Sequence, residues 1–167
     1  MLVKTGIPTE EQVRQVSPSQ ERLAAGPVAV IECFQEIPCN PCWEACAKGA
    51  ILGMDDMNNI PKLNFDKCNG CGTCAMKCPG LAIFIIDSSY SPTEAVVRLP
   101  YEFYPLPEAD EEVIGLNRAG EKLGKFKVIK VQKGGIHNKT ALIWVAVPNQ
   151  LAFELRNIQI ERVVNVG

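Results

Sequence analysis

The residues 68–79 read Cys68-Asn-Gly-Cys71-Gly-Thr-Cys74-Ala-Met-Lys-Cys78-Pro79, four thiols spaced C-x2-C-x2-C-x3-C and closed by a proline. Three thiolates at intervals of three, on a tightly curled loop, can cap three corners of one compact iron–sulfur cube. Such a loop needs small residues so that the backbone can approach the cluster closely, and Gly70 and Gly72 flank Cys71. Pro79 prevents the chain from continuing as helix past the fourth cysteine, which is carried away from the other three.

A second group lies upstream, Cys33-x5-Cys39-x2-Cys42-x3-Cys46. It keeps the last two intervals, lengthens the first from two residues to five, and has Ala47 where a proline would complete the pattern. The insertion 34–38 (FQEIP) can bulge outward and return at Cys39. Two outcomes stay open at Cys33. As a ligand it completes a second cubane; without it that cluster has three protein ligands and a three-iron centre becomes an option.

Other uses of the eight cysteines explain less. All lie between Cys33 and Cys78, so a disulfide framework would leave more than half of the chain without a staple. A four-thiolate zinc site from Cys39, Cys42, Cys68 and Cys71 leaves Cys74 and Cys78 unused. A plant-type [2Fe–2S] site matches the first group only loosely and makes Cys46 superfluous. Two [4Fe–4S] clusters account for every cysteine.

The elements that must carry these loops form a repeat. A strand at 27–32 (PVAVIE) precedes the first group and Ala50-Ile51-Leu52 follows it; a strand at 62–66 (KLNFD) precedes the second group and residues 82–86 follow it. In both halves the last cysteine is followed four residues later by Ala-Ile. Each half is too small to enclose a core, so the two are expected to fold around the metal, related by a pseudo-two-fold axis.

Residues 27–90 thus resemble a bacterial two-[4Fe–4S] ferredoxin. Carried over position by position, the resemblance implies one cluster on Cys33, Cys39, Cys42 and Cys78, and another on Cys68, Cys71, Cys74 and Cys46, each group lending its last cysteine to the other. The long first loop with a β-rich tail is also similar to small ferredoxin subunits of FAD-dependent amino-acid dehydrogenase complexes, such as the proline, hydroxyproline and hydrogen-cyanide-synthase-like oxidoreductases. That likeness implies a flavoprotein partner and a hetero-oligomer.

The expected fold class is α+β: an N-terminal arm (1–26), a pseudo-two-fold dicluster ferredoxin domain (27–90) and a small β-rich barrel or sandwich domain (91–167) that serves as a docking module. In the arm, Thr9-Glu10-Glu11-Gln12 reads as the start of a capped helix, and the arm either docks on a surface or hangs loose. In the tail, strands are expected at 113–116, 126–131, 140–147 and 158–164, with turns at 117–120 and 133–135 and a short helix from Asn149 to Arg156. The boundary at 88–92 is drawn where Ser, Tyr and Pro gather.

Four cysteines per cluster leave no open iron for a substrate, and no nucleophile–base pair, phosphate-cradling loop or flavin fingerprint accompanies them. Electron transfer, not catalysis, is the expected role: a subunit of a flavin-dependent dehydrogenase complex, or a free ferredoxin. An iron–sulfur sensor is the alternative of another class, with Lys122, Lys125, Lys127, Lys130, Lys133 and Lys139 touching nucleic acid. The net charge of −2 and the lack of aromatic stacking residues among these lysines argue against nucleic acid. Trp43 is either a shield for a cluster or an ordinary core or interface aromatic, and His137 reads as an exposed loop residue. The apolar runs are too short to span a bilayer. The N-terminal MLVKTGIPTEEQ does not read as an export signal, so a reducing cytoplasm is the expected compartment.

Overall fold

A computed structural model describes residues 2–136 and 138–161. His137 and the 162–164 part of the last expected strand lie outside the described residues. The N-terminal arm carries α1 (Leu2–Thr5), α2 (Glu10–Gln15) and α3 (Gln20–Ala24). Thr9 caps α2 through a reciprocal pair: Gln12 N–H donates to Thr9 Oγ1 (3.2 Å) and Thr9 N–H to Gln12 Oε1 (2.9 Å). The arm docks on the rest of the chain. Leu23 is buried in the main core. The Arg22 guanidinium donates to the carbonyls of Phe65 (2.8 Å), Gly26 (3.0 Å), Pro27 (3.1 Å) and Cys68 (2.7 Å), pinning the arm to the start of the second cysteine loop.

Next come β1 (Val28–Ile31), α4 (Pro41–Glu44) and β2 (Ile51–Leu52), then β3 (Lys62–Leu63), α5 (Thr73–Lys77) and β4 (Ile83–Asp87). The two runs repeat the same strand–loop–helix–strand order. Their pairing is nested: β1 lies antiparallel to β4, with Val28 opposite Ile86, and β2 lies antiparallel to β3, with Ile51 opposite Leu63.

The chain continues as β5 (Glu94–Tyr101), β6 (Glu112–Leu116), β7 (Lys122–Gln132), β8 (Ala141–Pro148) and β9 (Asn157–Gln159). Residues 88–92 form the turn between β4 and β5, and these strands pair directly, Ile85 opposite Arg98. One antiparallel sheet of seven strands results, in the order β1-β4-β5-β8-β7-β6-β9. The short helix expected from Asn149 is a single 3-10 turn, Asn149–Leu151. Strand β5 falls where the sequence offered no strand signal, because Arg98 and Pro100 interrupt its apolar pattern.

Alternation along β1 and β4 sorts two cores. Val28, Val30, Phe84 and Ile86 face the main core with Val97, Leu99, Val113, Val145 and Ile158. Ala29, Ile31, Ile83 and Ile85 face the opposite side, where Cys42, Cys74, Ala75 and Ile51 cover them. Because both faces are buried, these strands read as unbroken apolar runs. The sheet curls enough for its two ends to meet through charge. Glu32, just past β1, accepts hydrogen bonds from Arg118 in the β6–β7 turn (Nε to Oε2, 3.0 Å) and from Arg156 before β9 (Nε to Oε1, 2.9 Å).

Candidate metal centre

The second cysteine loop is shaped by its glycines. Gly70 and Gly72 hold φ of +65° and +84°, in the left-handed region. A Cβ on Gly70 would stand 2.6 Å from the Pro27 backbone, and one on Gly72 would stand 2.6 Å from Leu142 Cδ1. Conformation favours glycine at both positions, and at Gly70 the fixed backbone of Pro27 demands it on space as well. Gly70→Ala is expected to destabilise the protein by more than about 1 kcal/mol and to lower its iron content after anaerobic purification. Wild-type iron and an unchanged unfolding midpoint would show that the loop relaxes freely.

Gly72 ends the curl and α5 begins at once, carrying Cys74 against the sheet. Backbone N–H groups point at three of the sulfurs: Ala29 to Cys68 Sγ (3.4 Å), Gly70 to Cys68 Sγ (3.5 Å), Ala50 to Cys46 Sγ (3.3 Å) and Ala82 to Cys78 Sγ (3.5 Å). The last two are the same i+4 contact made once in each half. The shared Ala-Ile after each final cysteine is its sequence trace.

Cys46, from the first group, stands with Cys68, Cys71 and Cys74 in the wall of one cavity of about 260 Å³, floored by Ala29 and Ile85 of the sheet. Among the described residues no three His, Cys, Asp or Glu side chains converge on a point suited to a single ion. The thiols stand instead around a hollow with apolar walls and inward backbone donors, a donor set that fits an iron–sulfur core. Burial, followed by the neighbouring Cys68 and Cys71 and then Cys46, pushes the Cys74 thiol up to about 12. Cys71 is the exposed member. Burial raises its pKa, but hydrogen bonds from the side chain and backbone of Thr73, with the charge of Lys48, outweigh this and hold it below the usual thiol value.

The other four cysteines form the complementary neighbourhood. Burial and then the proximity of Cys78 push Cys42 up to about 11, with Cys39 and Cys33 adding to the rise. Cys33 is likewise raised by burial, then Cys78 and Cys39. Without bound metal these buried thiols hold their protons more tightly, so loading the site must displace them. The inserted residues 35–38 are exposed, and the return at Cys39 is fixed by its N–H bonding to the Met57 carbonyl (3.0 Å). Trp43 stands 44% exposed beside the buried Cys42, on the surface rather than in the core.

The tail also has a part in the site, one that local sequence pattern barely marks. Arg98 of β5 is buried, donates Nη1 to the Gly70 carbonyl (2.9 Å) and stacks on Trp144 of β8 (3.6 Å to the ring centroid). Leu142 of β8 packs among the residues covering the cysteine side of the sheet. The one available signal was a lone arginine inside the apolar run 95–101.

The donor set defines an iron–sulfur protein, and comparison with known sequences agrees. Residues 61–84, which include Cys68, Cys71, Cys74 and Cys78, match the 4Fe-4S binding domain family. The ferredoxin-type protein NapF of Escherichia coli strain K12 is 40% identical over 52 residues, 30% of this chain and 32% of that protein. NapF of Haemophilus influenzae is 42% identical over 56 residues, 32% of each chain. The chain thus matches about a third of the length of these relatives. No solved structure matches it.

Proposed function

We propose that this protein transfers electrons through two [4Fe–4S] clusters, one held by Cys33, Cys39, Cys42 and Cys78 and the other by Cys46, Cys68, Cys71 and Cys74. The observation that carries the reading is Cys46 in the wall of the cavity lined by Cys68, Cys71 and Cys74. A bound cubane supplies one-electron chemistry, and four thiolates on each leave no iron open to a substrate. The chain's own residues bury Cys42 and Cys74, aim backbone N–H groups at Cys46, Cys68 and Cys78 and hold the two loops in register.

The partner is a flavoprotein dehydrogenase, with this chain as its iron–sulfur subunit. Exposed Ile37, Trp43 and Met57 in and beside the first cysteine loop, with acidic Glu36, Glu44, Asp55 and Asp56 nearby in sequence, suit docking on an apolar surface with a basic rim. Nucleic-acid binding has less support, because Lys125 and Lys127 pair with Glu161 (2.9 Å) and Asp110 (2.8 Å). Anaerobic purification with iron and sulfide analysis tests the clusters; about eight irons per chain are expected from two cubanes. Co-purification with a flavoprotein whose substrate reduces the clusters tests the partner. A monomer that exchanges electrons with many partners is a free ferredoxin instead.

A further inference from the structure

We propose that Arg98 is the counter-cation of the site formed by Cys46, Cys68, Cys71 and Cys74, and that its charge favours the reduced state of the cluster there. The inference rests on the two-cluster reading and adds a device that makes the two clusters unequal.

The position of Arg98 follows from strand register. Ala29, Ile85, Arg98, Trp144 and Lys130 lie opposite one another in turn across β1, β4, β5, β8 and β7, forming one row. At one end of the row Ala29 bonds to Cys68 Sγ and, with Ile85, floors the cavity. Beside them the Arg98 guanidinium is roofed by Trp144, whose ring also meets Lys130 Nζ at 4.9 Å. Arg98 is 8% exposed and among the described residues forms no ion pair; its Nε has no hydrogen-bond partner. Among the described residues its one hydrogen bond runs to the carbonyl of Gly70, the residue before Cys71.

A buried guanidinium without a carboxylate is a large electrostatic deficit. The negative groups that bear on it are Asp87, two residues along β4 from Ile85, and Cys71. An anionic thiolate-ligated core therefore supplies the charge that the fold leaves unmatched. One electron taken up from a reductant breaks no bond and makes the core more negative by one unit, which Arg98 stabilises further. The other site differs. Arg118 and Arg156 lie near Cys33, but both contact Glu32 directly.

The test uses the full chain, loaded anaerobically and titrated with redox mediators under EPR detection. Cys71→Ser assigns the signal of the site in question by altering it. Arg98→Gln is expected to lower the equilibrium constant for reducing that cluster by about tenfold, a fall of about 59 mV for a one-electron couple, and to leave the other cluster unmoved. Arg98→Lys should recover most of the shift. Asp87→Asn, at a half-exposed position, should move the same cluster the opposite way by less. Equal shifts at both clusters, no shift, or an Arg98→Lys effect as large as that of Arg98→Gln would overturn the proposal. If neither Arg98 variant folds, Trp144→Leu decides it: unroofing the guanidinium lets water screen its charge, so the same cluster should become harder to reduce, and no change there overturns the proposal. A wild-type chain without two clusters sinks the reading beneath it, whereas two intact clusters indifferent to these charges sink only the role of Arg98.

Discussion

Cys46→Ala is expected to lower the iron content of the anaerobically prepared protein from about eight atoms to about four. The cluster lost should be the one on Cys68, Cys71 and Cys74, although Cys46 belongs to the other loop. Its sulfur shares their cavity and is held there by the Ala50 N–H. Paired substitutions separate this from general damage. With Cys71→Ala added, the defect falls on a site already lost, and about four irons should remain. With Cys42→Ala added, the second site fails too and iron should approach zero. Effects within one site overlap, and effects at separate sites add. Should Cys46→Ala keep all its iron with an unaltered EPR spectrum, the crossed arrangement is wrong.

The second large effect is expected at Glu32. Its side chain is 8% exposed and meets two guanidiniums, Arg118 and Arg156, whose side chains are 13% and 5% exposed. Arg156 also donates to the carbonyls of Ala152 (3.2 Å) and Leu155 (2.6 Å) and lies over the Phe84 ring at 4.6 Å. Burial works against the Glu32 carboxylate, but the Arg118 and Arg156 hydrogen bonds and charges outweigh it and hold its pKa below the usual value. Glu32→Gln keeps the shape and removes the charge, leaving two buried cations side by side. Breaking such a pair from one side destabilises by about 3–5 kcal/mol. Denaturant unfolding of the loaded protein measures this. Arg156→Met together with Glu32→Gln should recover part of the loss, because the stranded charge goes with it. If Glu32→Gln unfolds like the wild type, the triad contributes little. Glu32 adjoins Cys33, so faster iron release from the first site should accompany the loss.

The second cysteine loop was legible almost residue by residue, because its spacing and its two glycines are local requirements of one tight curl. The strand at 140–147 and the capped helix after Thr9 were equally local in cause, one written in β-branched residues and the other in a capping box. Arg98 was not legible. A lone arginine among the apolar residues of β5 is a faint mark; its burial depends on Trp144 and Gly70, which arrive from distant parts of the chain. Arg22 was hidden for the same reason: four carbonyls from two segments, 26–27 and 65–68, make its site. The docking of the arm rests on this side chain together with the buried Leu23, and sequence pattern alone reads Arg22 as ordinary surface. The pairing of β4 with β5 across a Ser- and Pro-rich turn was masked because such composition marks a hairpin as readily as a linker.

That hairpin governs how the molecule could be divided. Severing it would strip β4 of its neighbour and leave a bare row of peptide groups, an invitation to edge-to-edge aggregation. It would also take away the arginine and tryptophan that brace the second loop. The tail is therefore less an appendage than the outer half of the frame, and a minimal electron carrier cut from this chain would have to rebuild that frame before it could hold its metal.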